Sequence, residues 1–219
     1  MGEARKTKLD MNQSVYTNRI ALTVALGGFL MGFDASVISG VNKFVQIQFN
    51  LSDLQLGFSV SSLTIVAALA MMFSGPLSDK YGRKLVLKYC ALIFTVSAIG
   101  SALATGFTSF LIFRMLGGLG VGASLIVAPM YIAEIAPASK RGRLVSFNQL
   151  NIVLGITIAF FTNYYILSLA DHTSSWVSNY GIAEHNWRWM LGIEALPAIV
   201  YFFALFGTAR IRRSPPIKL

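Results

Sequence analysis

The chain has 219 residues, 55% hydrophobic and 12% charged, with a net charge of +9 at pH 7 and a mean hydropathy of +0.63. A soluble domain carries roughly 25% charged residues, so this composition excludes a water-soluble globular protein and calls for a lipid bilayer as solvent. The positive charge does not point to nucleic acid, because the basic residues lie in short clusters between apolar runs and form no basic helical face.

A polar leader occupies residues 1–19, and no cleavable signal peptide is visible. Six apolar runs follow, at 20–40, 56–76, 86–106, 109–132, 145–168 and 189–208. Each has about the 20 residues that a helix needs to cross a bilayer. The chain is therefore expected to be an all-α membrane protein, with a six-helix bundle over 20–208 and a tail over 209–219. Glycines 117, 118, 120 and 122 crowd the fourth run, where small residues let membrane helices approach closely.

Lysine and arginine fix the expected direction. The leader, the second-to-third connection, the fourth-to-fifth connection and the tail hold 15 of the 18 basic residues. The other side has only Lys43 and Arg188, and Arg114 lies within a span. Both termini are expected in the cytoplasm, in a multi-pass protein of the cell membrane. The sequences Lys80-Tyr81-Gly82-Arg83 and Lys140-Arg141-Gly142-Arg143 repeat a K-x-G-R theme, at corresponding turns of two three-helix units.

Three ionisable residues fall inside spans: Asp34, Arg114 and Glu194. Such residues are expensive in lipid and usually face a bundle interior or a pathway. Glu194 could instead lie at a misplaced helix edge. Asp34 is roughly 21 Å along its helix from Ile20, about 9 Å short of the far side of a ~30 Å core. Arg114 is about 7–8 Å down from that far side. The two are thus expected at similar depth, where an acid–base pair in a cavity can load and release a proton. On the fifth run, Asn148, Gln149, Asn151, Thr157, Thr162 and Asn163 suit either a hydroxyl-rich ligand or hydrogen bonds between helices. No nucleophile–base pair, phosphate loop or metal-ligand cluster is visible, so neither an enzyme nor a metal or cofactor site is expected.

The connection Gly75-Pro76-Leu77-Ser78-Asp79-Lys80-Tyr81-Gly82-Arg83-Lys84 resembles the major facilitator loop motif G-x-L-x-D-x-x-G-R-[KR]. Arg114 followed by the glycines to Gly122, then Pro129 to Glu134, then Arg141-Gly142-Arg143 resemble the sugar porter family. Gly32-Phe33-Asp34, Ser146 to Gln149, Trp187 to Met190 and Glu194 to Ala198 extend the likeness over nearly the whole chain. The resemblance implies the N-terminal half of a major facilitator fold, built from two three-helix inverted repeats. It implies sugar transport, by proton symport with alternating access. Asp34 and Arg114 resemble the proton-coupling pair of bacterial sugar–proton symporters, while Gln149 and Asn163 are the implied sugar contacts. Asp79, Arg83, Glu134, Arg141 and Glu194 resemble the cytoplasmic gating network. The implied partners are a sugar or polyol, protons, the bilayer and a complementary C-terminal half.

The sequence departs from the family at Ile156, where close bacterial symporters carry a second glutamine, and at Met31, where they carry an aromatic residue. These changes leave the particular sugar open. The tail has Arg212-Arg213-Ser214-Pro215-Pro216 where the family has P-E-S-P-R and six further helices, so it reads as truncated. The alternatives to a working sugar porter half are a non-transporting fragment or regulatory partner, and a facilitator for another small organic solute.

Overall fold

A computed structural model describes residues 2–170, 181 and 184–207, with side chains from Asn18 onward. The expected tail, most of the connection between the fifth and sixth spans, and Met1 lie outside the described residues. Helix α1 spans Gly2–Gln48, α2 Asp53–Tyr81, α3 Arg83–Ala102, α4 Phe107–Ile135 and α5 Arg141–Ala170. Helices α6 (Asn186–Ile193) and α7 (Ala195–Gly207) follow and together make the sixth span. Among the described residues six stretches are long and apolar enough to cross a membrane, and the chain is a multi-pass membrane protein with the all-α architecture expected from its sequence.

Helix ends depart from the apolar runs because capping, not hydropathy, sets them. Helix α1 already begins at Gly2, so the expected leader is helical, and it runs on past residue 40 to Gln48. Ser52 starts α2 early through a capping box: Gln55 N–H donates to Ser52 Oγ at 3.3 Å and Ser52 N–H to Gln55 Oε1 at 3.0 Å. Helices α2 and α3 are joined by Gly82 alone, at φ +91°, a conformation that glycine adopts without a steric penalty. The Gly82 of the loop motif thus makes the one-residue turn that sets Asp79 and Arg83 side by side. The sixth span breaks at Glu194. Pro197, three residues into α7, has no N–H to give the Ile193 carbonyl, so the helix restarts after the break.

The helices pair in a pattern that respects an inverted repeat. Helix α1 lies closest to α5, and α4 closest to α2. Exchanging the first three spans with the last three converts one pair into the other. Both pairs close on glycines: Gly28 and Gly32 of α1 meet α5, and Gly118 and Gly122 of α4 meet α2. A Cβ on Gly32 would collide with the Ile152 carbonyl, and one on Gly122 with the Ala67 carbonyl. The spacing Gly27-Gly28-x3-Gly32 recurs as Gly117-Gly118-x3-Gly122. Backbone-to-backbone approach of this kind replaces the hydrophobic drive that membrane helices lack.

The apolar core falls into two clusters. One, toward the face with the basic connections, contains Val24, Leu87, Phe94, Ile132, Tyr201 and Leu205. The other, toward the opposite face, contains Phe33, Val37, Phe110, Trp187 and Met190. On that side Trp187 packs edge-on against Phe49 and Phe110, with ring centroids 5.7 and 6.3 Å away.

Candidate functional site

Asp34, Arg114 and Glu194 all lie at the seam between the two clusters. Each is flanked along its own helix by a residue of one cluster on one side and of the other cluster on the other: Leu30 and Val37 around Asp34, Phe110 and Val121 around Arg114, Leu191 and Ala198 around Glu194. Arg114 Nη1 donates to Asp34 Oδ1 at 2.5 Å, and each residue is 2% exposed. The depth match expected for this pair is realised as a direct contact. Asp34 Oδ2 and Arg114 Nε have no hydrogen-bond partner among the described residues.

Glu194, expected in the gating network on the basic face, lies at the seam with Asp34 and Arg114. It is 3% exposed and lies close enough to Asp34 and Arg114 for the charges of both to act on it. The physical reason is the break in the sixth span. Glu194 is only eight residues from the start of α6 at Asn186, about 12 Å down from the opposite face. Two acids and one base therefore share a dry site. Fully ionised the group carries one negative charge, and one added proton makes it neutral.

A second charged cluster lies on the basic face. Arg83 Nη2 pairs with Asp79 Oδ1 at 2.5 Å and Glu134 Oε1 at 3.0 Å. Its Nη1 donates to Ser78 Oγ and to the Gly75 carbonyl. One guanidinium thus ties the α2–α3 turn to the end of α4. The arginine side chain is 13% exposed and its partners 65% and 50%, so each pair contributes at most about 1 kcal/mol to stability. Arg141, expected here too, is exposed and makes no ion pair among the described residues. The turn Ala138–Lys140 carries the chain away before α5 begins at Arg141.

The polar residues of α5 divide by face. Gln149 is exposed. Asn151, Thr157 and Thr162 donate to carbonyls of their own helix at 2.8–2.9 Å. Asn163, expected at the sugar, is 4% exposed; its Nδ2 donates to the Val37 carbonyl of α1 at 3.1 Å and packs on Gly40. The structure uses it as a clip between α5 and α1. Asn163→Ala is expected to lower stability by about 0.5–1.5 kcal/mol through the lost hydrogen bond between the helices, read as a lower unfolding temperature in detergent. A raised sugar KM at unchanged stability would contradict the clip.

The profile of the family described as "Sugar (and other) transporter" matches residues 20–208. The chain belongs to this family. It is 42% identical over 187 residues to the glucose transport protein of Synechocystis sp., covering 85% of this chain and 40% of that protein. It is 37% identical to the D-xylose-proton symporter of Escherichia coli K12, covering 88% and 43%. The solved proton:xylose symporter XylE superposes with a TM-score of 0.78 at 35% identity, over 89% of this chain and 45% of that one. These family members are transporters, and the chain spans about two-fifths of the length of the curated relatives it matches. The six helices correspond to the N-terminal half of a major facilitator fold.

Three polar residues escaped the sequence reading as members of one group: Ser124, Asn148 and Tyr201, all buried. Asn148 was visible only as one of several polar residues on the fifth run. Nothing in the one-dimensional pattern links Ser124 and Tyr201, which come from α4 and α7.

Proposed function

We propose that this chain forms the N-terminal half of a sugar–proton symporter, working with a complementary six-helix half. The observation that carries the reading is the buried group of Asp34, Arg114 and Glu194. A charged group held away from water in a membrane protein is costly, and this one changes its net charge by a single proton. Asp34 Oδ2, which has no partner, is the atom proposed to receive that proton. With Asp34 neutral, Arg114 turns toward Glu194, and the contact between α1 and α4 weakens. Release of the proton restores the 2.5 Å pair. Coupling follows if the sugar binds best to the protonated arrangement.

Gln149, exposed on α5, is the proposed sugar contact within this half. Its amide offers both donors and acceptors to hydroxyl groups. The Arg83–Asp79–Glu134 cluster is the proposed latch, closed when the two halves meet on the basic face. That face is proposed to be cytoplasmic, in the cell membrane, from the excess of lysine and arginine there. The relatives' names supply the substrate class: glucose, xylose and arabinose carriers.

The test is uptake of labelled glucose and xylose by the full-length protein in proteoliposomes with an imposed pH gradient. Accumulation that collapses with a protonophore is expected, with a competition panel naming the preferred sugar. Uptake that ignores the gradient would replace symport by facilitated diffusion. Absence of uptake for every sugar in the panel would remove the transport reading.

A further inference from the structure

A second polar group lies between the charged triad and the basic face. Ser124 is 2% exposed, Asn148 6% and Tyr201 0%. Ser124 Oγ, Asn148 Oδ1 and Tyr201 Oη have no hydrogen-bond partner among the described residues. They converge on Gly27 and Gly28. A Cβ on Gly27 would stand 2.8 Å from both Ser124 Oγ and Tyr201 Oη, and one on Gly28 would stand 2.9 Å from Asn148 Oδ1. The two hydroxyls lie close together over Gly27 without meeting the geometry of a hydrogen bond.

The placement of these groups is systematic. Gly27 is seven residues before Asp34 on α1, Ser124 ten after Arg114 on α4, and Tyr201 seven after Glu194 in the sixth span. Each step runs toward the basic face, by about 10–15 Å along the helix. The rest of that route is apolar core, with Val24, Leu87, Ile132 and Leu205 fully buried. A buried hydroxyl without a partner is unfavourable by about 1–3 kcal/mol. Alanine and phenylalanine would fill the same space without that loss. The presence of two such hydroxyls at this position therefore points to a use for them.

We propose that Ser124, Tyr201 and Asn148 hold water around Gly27 and Gly28 and relay the proton between the triad and the basic face. This rests on the symport reading above and adds the path by which the proton leaves. The group is neutral, with two hydroxyls and one amide oxygen, so it lacks the carboxylates that hold a cation. It suits a water, which makes about three hydrogen bonds in such sites. The proton leaves a triad carboxyl for a file of waters spanning the ~10 Å to Gly27, each water taking one proton and releasing another, with the three side chains holding the waters at that end; no other bond changes. The crevice lined by Gly27, Gly28, Met31, Ser124, Ala128 and Asn148 has no water-sized space as packed here. Water then enters only when α1 parts from α4 and α5, so the proton cannot leak while the bundle is closed.

The experiment compares wild type, Tyr201→Phe, Ser124→Ala and the double variant, all full-length in proteoliposomes. Three readouts are taken: gradient-driven accumulation, sugar counterflow at equal pH, and unfolding temperature. The double variant is expected to accumulate sugar about a hundredfold more slowly, the lower end of the range for a lost proton-transfer group. Counterflow and unfolding temperature are expected to hold. Unchanged accumulation in the double variant overturns the relay while leaving symport intact. Loss of counterflow together with a fall in unfolding temperature also overturns it, in favour of a packing role. A wild type that ignores the gradient but exchanges sugar removes symport itself, and the relay with it.

Discussion

Asp34→Asn is expected to reduce proton-driven sugar accumulation to equilibrium while leaving exchange in place. Asparagine has nearly the same shape and keeps an oxygen for Arg114 Nη1, now 2.5 Å away in the native pair. It removes the negative charge and the site that takes up the proton. Glu194 and Arg114 then form a permanently neutral pair, and no proton is needed to complete the cycle. The magnitude follows from the driving force. One pH unit is worth about 1.4 kcal/mol, which for one proton per sugar sustains about a tenfold gradient. In the variant that ratio should fall to about one, while counterflow of labelled sugar persists. Uphill accumulation at the wild-type level would end the assignment of Asp34 as the coupling group. Arg114→Ala is a different experiment. It leaves two buried acids without their base, a loss of about 3–5 kcal/mol, and is expected to compromise folding as well as transport.

The second large effect concerns the backbone contacts that hold the two repeats together. Gly32→Ala and Gly122→Ala are each expected to destabilise the bundle strongly. The added Cβ would meet the carbonyl oxygens of Ile152 and Ala67, which belong to neighbouring helices and cannot rotate away as a side chain would. The helices must separate along their length, so the penalty should reach the upper end of the roughly 1–3 kcal/mol seen for overpacked cores. The inverted repeat makes the two effects similar in size. Gly57→Ala in α2 is the control, because a Cβ there has nothing within 4 Å. It should be neutral or stabilising by up to about 1 kcal/mol, since alanine favours the helix. Unfolding temperatures in detergent decide the matter: equal values for Gly32→Ala and Gly57→Ala would refute the close-approach account.

The sequence and the tertiary structure divide the protein between them in a consistent way. Six spans were legible because bilayer thickness imposes a length on apolar runs, and Asp34 and Arg114 were legible because depth can be counted along a helix. Asp79 and Arg83 were grouped by the resemblance of their loop motif, and the Gly82 turn that brings them together emerged only in the structure. Glu194 was grouped by resemblance with the gating cluster, and the structure sets it at the seam with Asp34 and Arg114. Direction around the helix axis was not legible. Helices α2, α4 and α5 are apolar on nearly every side, so no polar face marks which residues turn inward. That is why the hydrogen bond from Asn163 to α1 could not be foreseen, and why Ser124, Asn148 and Tyr201 showed no connection. Sequence alone determined that the chain crosses the membrane six times and at what depth its charges lie. Only helix packing decided which of those charges meet, because in lipid the inward face is chosen by close backbone approach at glycines and not by hydropathy.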